Sequence, residues 1–307
     1  MSHNEVAGSR SRVVTSADGV RIATHEHGDP SQPTLIAVHG YPDDHTVWDD
    51  VVAELADLHH LVTYDVRGAG RSDAPASRAA YRLDRLEADL CAVVDAVAPT
   101  GRVHLLAHDW GSIQTWHAVT GDALRGRIAS FTSISGPCLD HVGHWFRSRL
   151  GRPSARGLRE LLSQAVRSGY IAFFQVPGLA ELAWRANLVP RALRVLERGG
   201  VGSPSVSDGI QGLELYRANV ARRLRRPSER RAEIPVQVVA PTGDRYVSAP
   251  LQTGIGRWVP DLRVQHVPGG HWLPRTRPDL VARCAAELVD RAEHTTENRR
   301  NAHADPR

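Results

Sequence analysis

Short, uninterrupted apolar runs recur along the first half of this chain, and they constrain its fold more than any other feature. Thr34–His39, Leu61–Tyr64 and Val103–Ala107 are such runs, and Ile128–Ser135 is another candidate. A strand with one wet face alternates apolar and polar residues; these runs do not, so each is expected to be covered on both faces. Between them, Val47–Leu58 and Leu83–Val97 carry apolar residues at helical spacing. This alternation predicts an α/β fold with a mostly parallel central sheet and helices on both faces. Arg12–Thr15 and Arg21–His27 read as a leading hairpin with Asp18-Gly19 at its turn.

The pattern changes after Gly136-Pro137, becoming helical, Arg-rich and broken by Pro and Gly to about Pro235. Strand signals return at Val236–Ala240 and Arg263–Val267, and a helix follows at about Pro278–Ala292. The expected layout is a core in two parts, 12–136 and 235–292, interrupted by a helical cap at 137–234. An insertion that long after a strand reads as a lid rather than a loop. The polar stretch 293–307 is expected to be a disordered tail.

Charge narrows the classes of partner. All 38 basic residues are arginine and the net charge is +4, but 17 Arg face only 6 Asp and Glu between Arg147 and Arg231. No interleaving of aromatic and basic residues accompanies them, so they read as solvated helix faces and no nucleic-acid partner is expected. Contact of this basic segment with membranes stays open, as does a homodimer. No window approaches the ~20 apolar residues of a membrane span, and Met1–Arg12 lacks a secretory apolar run. Three widely spaced cysteines, Cys91, Cys138 and Cys284, fit a reducing compartment. The expected location is cytoplasmic.

The run Val103–Ala107 leads into Ala107-His108-Asp109-Trp110-Gly111. Small residues two places either side of a central Asp, at a strand-to-helix junction, match a nucleophile elbow. Asp is also a favoured helix cap, and that reading competes until a base is found. A carboxylate attacking an acyl group would gain little. Attack on an sp³ carbon bearing a leaving group gives an alkyl ester of the enzyme, which points to epoxides and alkyl halides. The base belongs after the last strand, with its acid partner before it in the chain. His271 follows Arg263–Val267 within Pro268-Gly269-Gly270-His271-Trp272, and Asp244 follows Val236–Ala240 within Pro241-Thr242-Gly243-Asp244-Arg245. Asp244 would orient the imidazole and stabilise its charged form. The oxyanion donors are expected to be the backbone amides of Tyr41, in His39-Gly40-Tyr41-Pro42, and of Trp110; His39 reads as structural. His141 and His144 have metal-ligand spacing but no third ligand in a motif, so no metal is expected. Ser112 and Ser135 stand away from an elbow centre, which removes a serine nucleophile.

Together, His39-Gly40-Tyr41-Pro42, Asp65-Val66-Arg67-Gly68-Ala69-Gly70-Arg71-Ser72, His108-Asp109-Trp110-Gly111 and Gly270-His271-Trp272 resemble the α/β-hydrolase superfamily, in particular its epoxide hydrolase branch. The resemblance runs from about Val13 to Ala292. More narrowly, the chain resembles the hydrolase module of actinobacterial proteins that also carry a short-chain dehydrogenase; that second module is not expected here. The resemblance implies an α/β-hydrolase fold and two cap phenols that hold an epoxide oxygen. Tyr170 and Tyr216 stand in the matching contexts. Trp110, Tyr170, Tyr216 and Trp272 are then the expected substrate contacts, an apolar epoxide is the expected small-molecule partner, and no cofactor is needed. The alternatives are a haloalkane dehalogenase using Asp109, Asp244 and His271, and a non-catalytic small-molecule receptor on the same fold. Tyr41 occupies a position where many dehalogenases carry asparagine, which weighs against the first of these.

Overall fold

The computed structural model describes residues 10–197 and 200–304. Its centre is an eight-stranded sheet: β1 (Arg10–Thr15), β2 (Arg21–His27), β3 (Thr34–Val38), β4 (His60–Tyr64), β5 (Val103–His108), β6 (Ile128–Ile134), β7 (Val236–Pro241) and β8 (Leu262–Val267). The spatial order is β1-β2-β4-β3-β5-β6-β7-β8. Only the pairings of β1 with β2 and of β2 with β4 are antiparallel.

Successive residues of the inner strands serve opposite faces, as the period of two requires. Ile36, Val38, Leu105, Ala107 and Val238 face one layer, where they pack with α2 (Leu83–Val97) and α3 (Trp110–Val119). Leu35, Ala37, Leu106, Ile134 and Val239 face the other, against α1 (Asp49–Leu55) and α12 (Pro278–Ala304). The uninterrupted apolar runs in the sequence are the trace of this double coverage. The Asp65–Ser72 segment is structural. Buried Arg67 clamps Asp89 (Nε–Oδ2 2.7 Å) and Asp18 (2.9 Å), and Asp65 accepts the backbone amides of His45 (3.0 Å) and Arg71 (2.8 Å).

Between β6 and β7 lie six helices: α4 (Leu139–Gly151), α5 (Ala155–Arg167), α6 (Gly169–Phe174), α7 (Leu179–Arg185), α8 (Leu188–Leu196) and α9 (Val206–Arg225). Side chains fasten this insertion to the sheet domain. Asn219 of α9 accepts the Leu83 amide (3.0 Å) and donates to the Tyr81 carbonyl (2.8 Å), completing the start of α2. Gln164 of α5, buried, donates to the Tyr246 carbonyl (2.9 Å) and accepts the Ser248 amide (3.0 Å).

After β7 come the short helices α10 (Ala249–Thr253) and α11 (Leu273–Thr276). One expectation is corrected at the end of the chain. The stretch from Glu293, expected to be disordered, continues α12 as helix to Ala304, and residues 305–307 lie outside the described ones. Polarity suggested disorder, but a helix nucleated by the buried residues of α12 extends at little cost when no Gly or Pro interrupts it.

Candidate active site

The turn from β5 into α3 places Asp109 at φ +50°, a backbone region that L-residues avoid at a cost of roughly 1–3 kcal/mol. Neighbours hold it there: the Asp109 amide donates to the Ile134 carbonyl (3.0 Å) and its carbonyl accepts the Ile113 amide (2.9 Å). A methyl built on Gly111 would run into the Val38 and His39 carbonyls, so the small residue after the elbow is required by close backbone approach. Asp109 occupies the cap position of α3, yet its side chain makes no capping hydrogen bond. The carboxylate is turned instead toward Tyr41 and His271. Oδ1 accepts the Tyr41 amide (2.8 Å) and Oδ2 lies 3.4 Å from His271 Nε2. The Trp110 amide stands at the first position of α3, where a helix offers its N–H groups no internal acceptor.

His271 and Asp244 come from the loops after β8 and β7, at the carboxyl edge of the sheet where such folds bind ligands. His271 Nδ1 donates to Asp244 Oδ2 (3.1 Å), while Asp244 Oδ1 accepts the Tyr246 (2.8 Å) and Val247 (3.0 Å) amides. All three side chains are buried. Burial opposes the charge on His271, but the carboxylates of Asp244 and Asp109 outweigh it and raise its pKa to about 10. For Asp109 and Asp244 burial likewise opposes charge, and the neighbouring imidazolium reverses the balance, lowering both. Charge and hydrogen bonding at rest therefore favour an imidazolium between two carboxylates.

This arrangement has a consequence for stability. The folded pKa of His271 lies above its ordinary value of 6.5, so its contribution is complete below pH 6.5 and is lost as pH rises through about 10. Melting temperature followed across that range should fall more steeply for the native chain than for Asp244→Asn, in which one of the two anions is gone. Parallel curves would show that the pair contributes no linkage.

Tyr170 of α6 and Tyr216 of α9 face Asp109 from the insertion, their rings perpendicular at 5.9 Å. Burial raises both pKa values, so both phenols keep their protons. Two cavities, of about 200 and 330 Å³, meet at this point; Asp109, Tyr170, Tyr216 and Tyr246 line both. The smaller is closed by Phe173, Leu193 and Trp272, the larger by Trp110, Ile113 and Leu139. Trp272 thus borders a cavity, but its indole N–H is committed to Asp43 Oδ2 (2.7 Å). Tyr246 is a site residue that sequence reasoning missed. Its ring stands over His271 at 4.7 Å, and its place two residues after Asp244 was the available signal.

His39 donates from Nδ1 to the Gly40 carbonyl (2.8 Å) and accepts the Val66 amide at Nε2 (2.9 Å), so both its nitrogens hold backbone. His141 lies flat on Trp258 at 4.3 Å and bonds the Arg230 carbonyl (2.8 Å), a packing role rather than a metal ligand's. His25, His45 and Asp65 do gather, but the two imidazoles stack at 3.8 Å and 17°. Their in-plane lone pairs run side by side and do not converge on an ion.

A mostly parallel sheet with an acid at an elbow, and a second acid and a histidine at later strand ends, defines an α/β-hydrolase. Residues 33–278 match the family model described as the alpha/beta hydrolase fold, and the chain belongs to that family. It is 37% identical over 298 residues to the probable oxidoreductase EphD of Mycobacterium tuberculosis, covering 92% of this chain and 50% of that one. It is 30% identical over 202 residues to epoxide hydrolase A of the same organism, covering 64% and 57% respectively. The chain thus spans about half the length of these curated relatives. Among solved structures, the epoxide hydrolase of Bacillus megaterium in complex with an inhibitor shares the fold, with a TM-score of 0.75 at 20% identity over 91% of this chain and 100% of that one.

Proposed function

We propose that the chain hydrolyses an apolar epoxide to a vicinal diol through an ester on Asp109, with the insertion acting as a cap over the site. The observation that carries this reading is that the Asp109 carboxylate, from the sheet, and the Tyr170 and Tyr216 phenols, from the insertion, line both cavities where the two meet. Attack by Asp109 on one epoxide carbon breaks that C–O bond, and a phenol protonates the oxygen as it leaves. The ester then removes the anion beside His271 Nε2. The imidazolium loses a stabilising partner, and its surplus proton replaces the one the phenol gave up. Neutral His271 next takes a proton from water, and the hydroxide adds to the Asp109 carbonyl carbon. The Tyr41 and Trp110 amides hold the oxyanion. Loss of such a donor typically costs about 2.7–4 kcal/mol of barrier. Collapse expels the diol oxygen, which recovers its proton from His271, and the new Asp109 carboxyl then passes the water's second proton to His271, restoring carboxylate and imidazolium. One original Asp109 oxygen leaves in the diol, and the water oxygen stays in the protein.

The two cavities on either side of Asp109 favour an epoxide with an apolar substituent on each carbon. The presence of two protonated phenols favours an oxygen leaving group over a halide, which needs no proton. Epoxide hydrolase A of Mycobacterium tuberculosis and the Bacillus megaterium structure carry names in keeping with this reading.

Single-turnover hydrolysis of an epoxide panel in H₂¹⁸O, followed by mass spectrometry of the Asp109 peptide, tests it. The label should appear in Asp109. Diol formed with an unlabelled Asp109 would mean direct attack by water. Halide released from haloalkanes without epoxide turnover would point to dehalogenation, and ligand binding without any turnover to a receptor. Tyr170→Phe and Tyr216→Phe should each slow ester formation, and the double variant should lose about 10²–10⁴-fold. Unchanged pre-steady-state alkylation in the double variant would remove the phenols from the reaction.

A further inference from the structure

We infer that the outward faces of α5 and α8, two helices that both pack toward Tyr246, dock the protein on an anionic lipid bilayer. Single exposed apolar residues are ordinary on a soluble protein, but here they are concentrated. Of the fourteen large apolar residues exposed among the described ones, ten fall between Leu150 and Leu196. On α5, Leu158, Leu162 and Val166 recur every four residues and form one stripe, Val166 being 84% exposed. Gln164, on the opposite side of that helix, is buried against the loop that carries Asp244. The stripe therefore faces away from the body of the protein.

The second helix repeats the design and adds a link to the site. Val189 and Leu193 turn inward as part of the wall of the smaller cavity, whereas Leu188 and Val195 turn outward, Val195 being 79% exposed. Leu196 does both, lining the cavity while half exposed. The apolar arc of α8 is thus continuous from the cavity to the surface, with Arg191 and Arg194 beside it. An amphipathic helix with an apolar face and flanking cations lies in the plane of a membrane interface.

Charge selects the occupant. The two helices carry Arg156, Arg159, Arg167, Arg191 and Arg194 against one acid, Glu160. Two copies of this face would bring like charges together, so a second chain is disfavoured, while an anionic headgroup layer satisfies both the cations and the apolar stripe. No helix among the described residues is long and apolar enough to cross a membrane, so the contact is peripheral. This inference concerns where the protein rests and is independent of the reaction assigned to the site.

Co-sedimentation of the full chain with phosphatidylglycerol–phosphatidylcholine vesicles, and with phosphatidylcholine alone, tests it. Binding should be about tenfold or more tighter on the anionic vesicles and should weaken as salt rises. The Leu162→Glu/Val195→Glu variant should bind about tenfold or more weakly. Val13→Glu/Val264→Glu, which adds the same charge at exposed positions on β1 and β8, should bind like the parent. Melting temperatures of the variants report whether the fold is kept. No binding to anionic vesicles, or equal loss in both variants, would overturn the inference. So would a dimer by light scattering that Leu162→Glu/Val195→Glu alone converts to monomer.

Discussion

Asp109→Ala should lose at least about four orders of magnitude of epoxide turnover while keeping its fold. The carboxylate caps no helix N–H, and its one backbone partner is the Tyr41 amide, so its removal strands little. What remains is a cavity with donors and a base but no group that can bond to the epoxide carbon. His271 should also change character. With one of its two anions gone, its elevated pKa should fall, because the Asp109 charge and hydrogen bond both support it. Steady-state turnover and melting temperature, measured together, separate lost chemistry from lost structure. Activity within tenfold of the parent, with the fold intact, would show that Asp109 is not the nucleophile.

His271→Gln should have the second-largest effect, and its signature differs. The attack on the epoxide uses the Asp109 anion and the phenols, whereas hydrolysis of the ester needs a base within reach of water. The variant should therefore complete the first half of one cycle and stop. Intact-mass analysis should show the protein heavier by one epoxide molecule, and steady-state turnover should fall by about 10²–10⁴-fold. Loss of turnover without that added mass would place His271 in the first step, or exclude an ester altogether.

The sheet and the three central side chains were legible because each leaves a local mark. Double coverage of the inner strands writes itself as unbroken apolar runs, and the close approach of Gly111 to the Val38 and His39 carbonyls demands a small residue. Asp244 and His271 stand directly after the last two strands, so their order in the chain gives their order in space. Other features rest on contacts between distant segments. The stack of His25 on His45 beside Asp65 depends on β2 pairing with β4, and no spacing announces it. Tyr246 joins the site because its ring folds back over His271. The indole of Trp272, expected to meet substrate, spends its N–H on Asp43, 229 residues earlier. The helical segment was visible as a block, but its division into α4–α9 was not. Its outward apolar stripes break the usual rule that apolar periodicity marks the buried side, as the exposure of Val166 and Val195 shows.

The backbone at Asp109 carries one more implication. A residue held at φ +50° is one that the surrounding structure must coerce, and glycine would adopt the same posture without resistance. On the proposed mechanism, the position that bonds to substrate is thus the one at which thermodynamic stability alone would choose a different amino acid. In a lineage released from any demand for turnover, mutation toward glycine at 109 would be rewarded with a sturdier protein. Asp109→Gly should therefore melt at or above the temperature of the parent while losing its turnover, which separates what position 109 does from how well the molecule holds together.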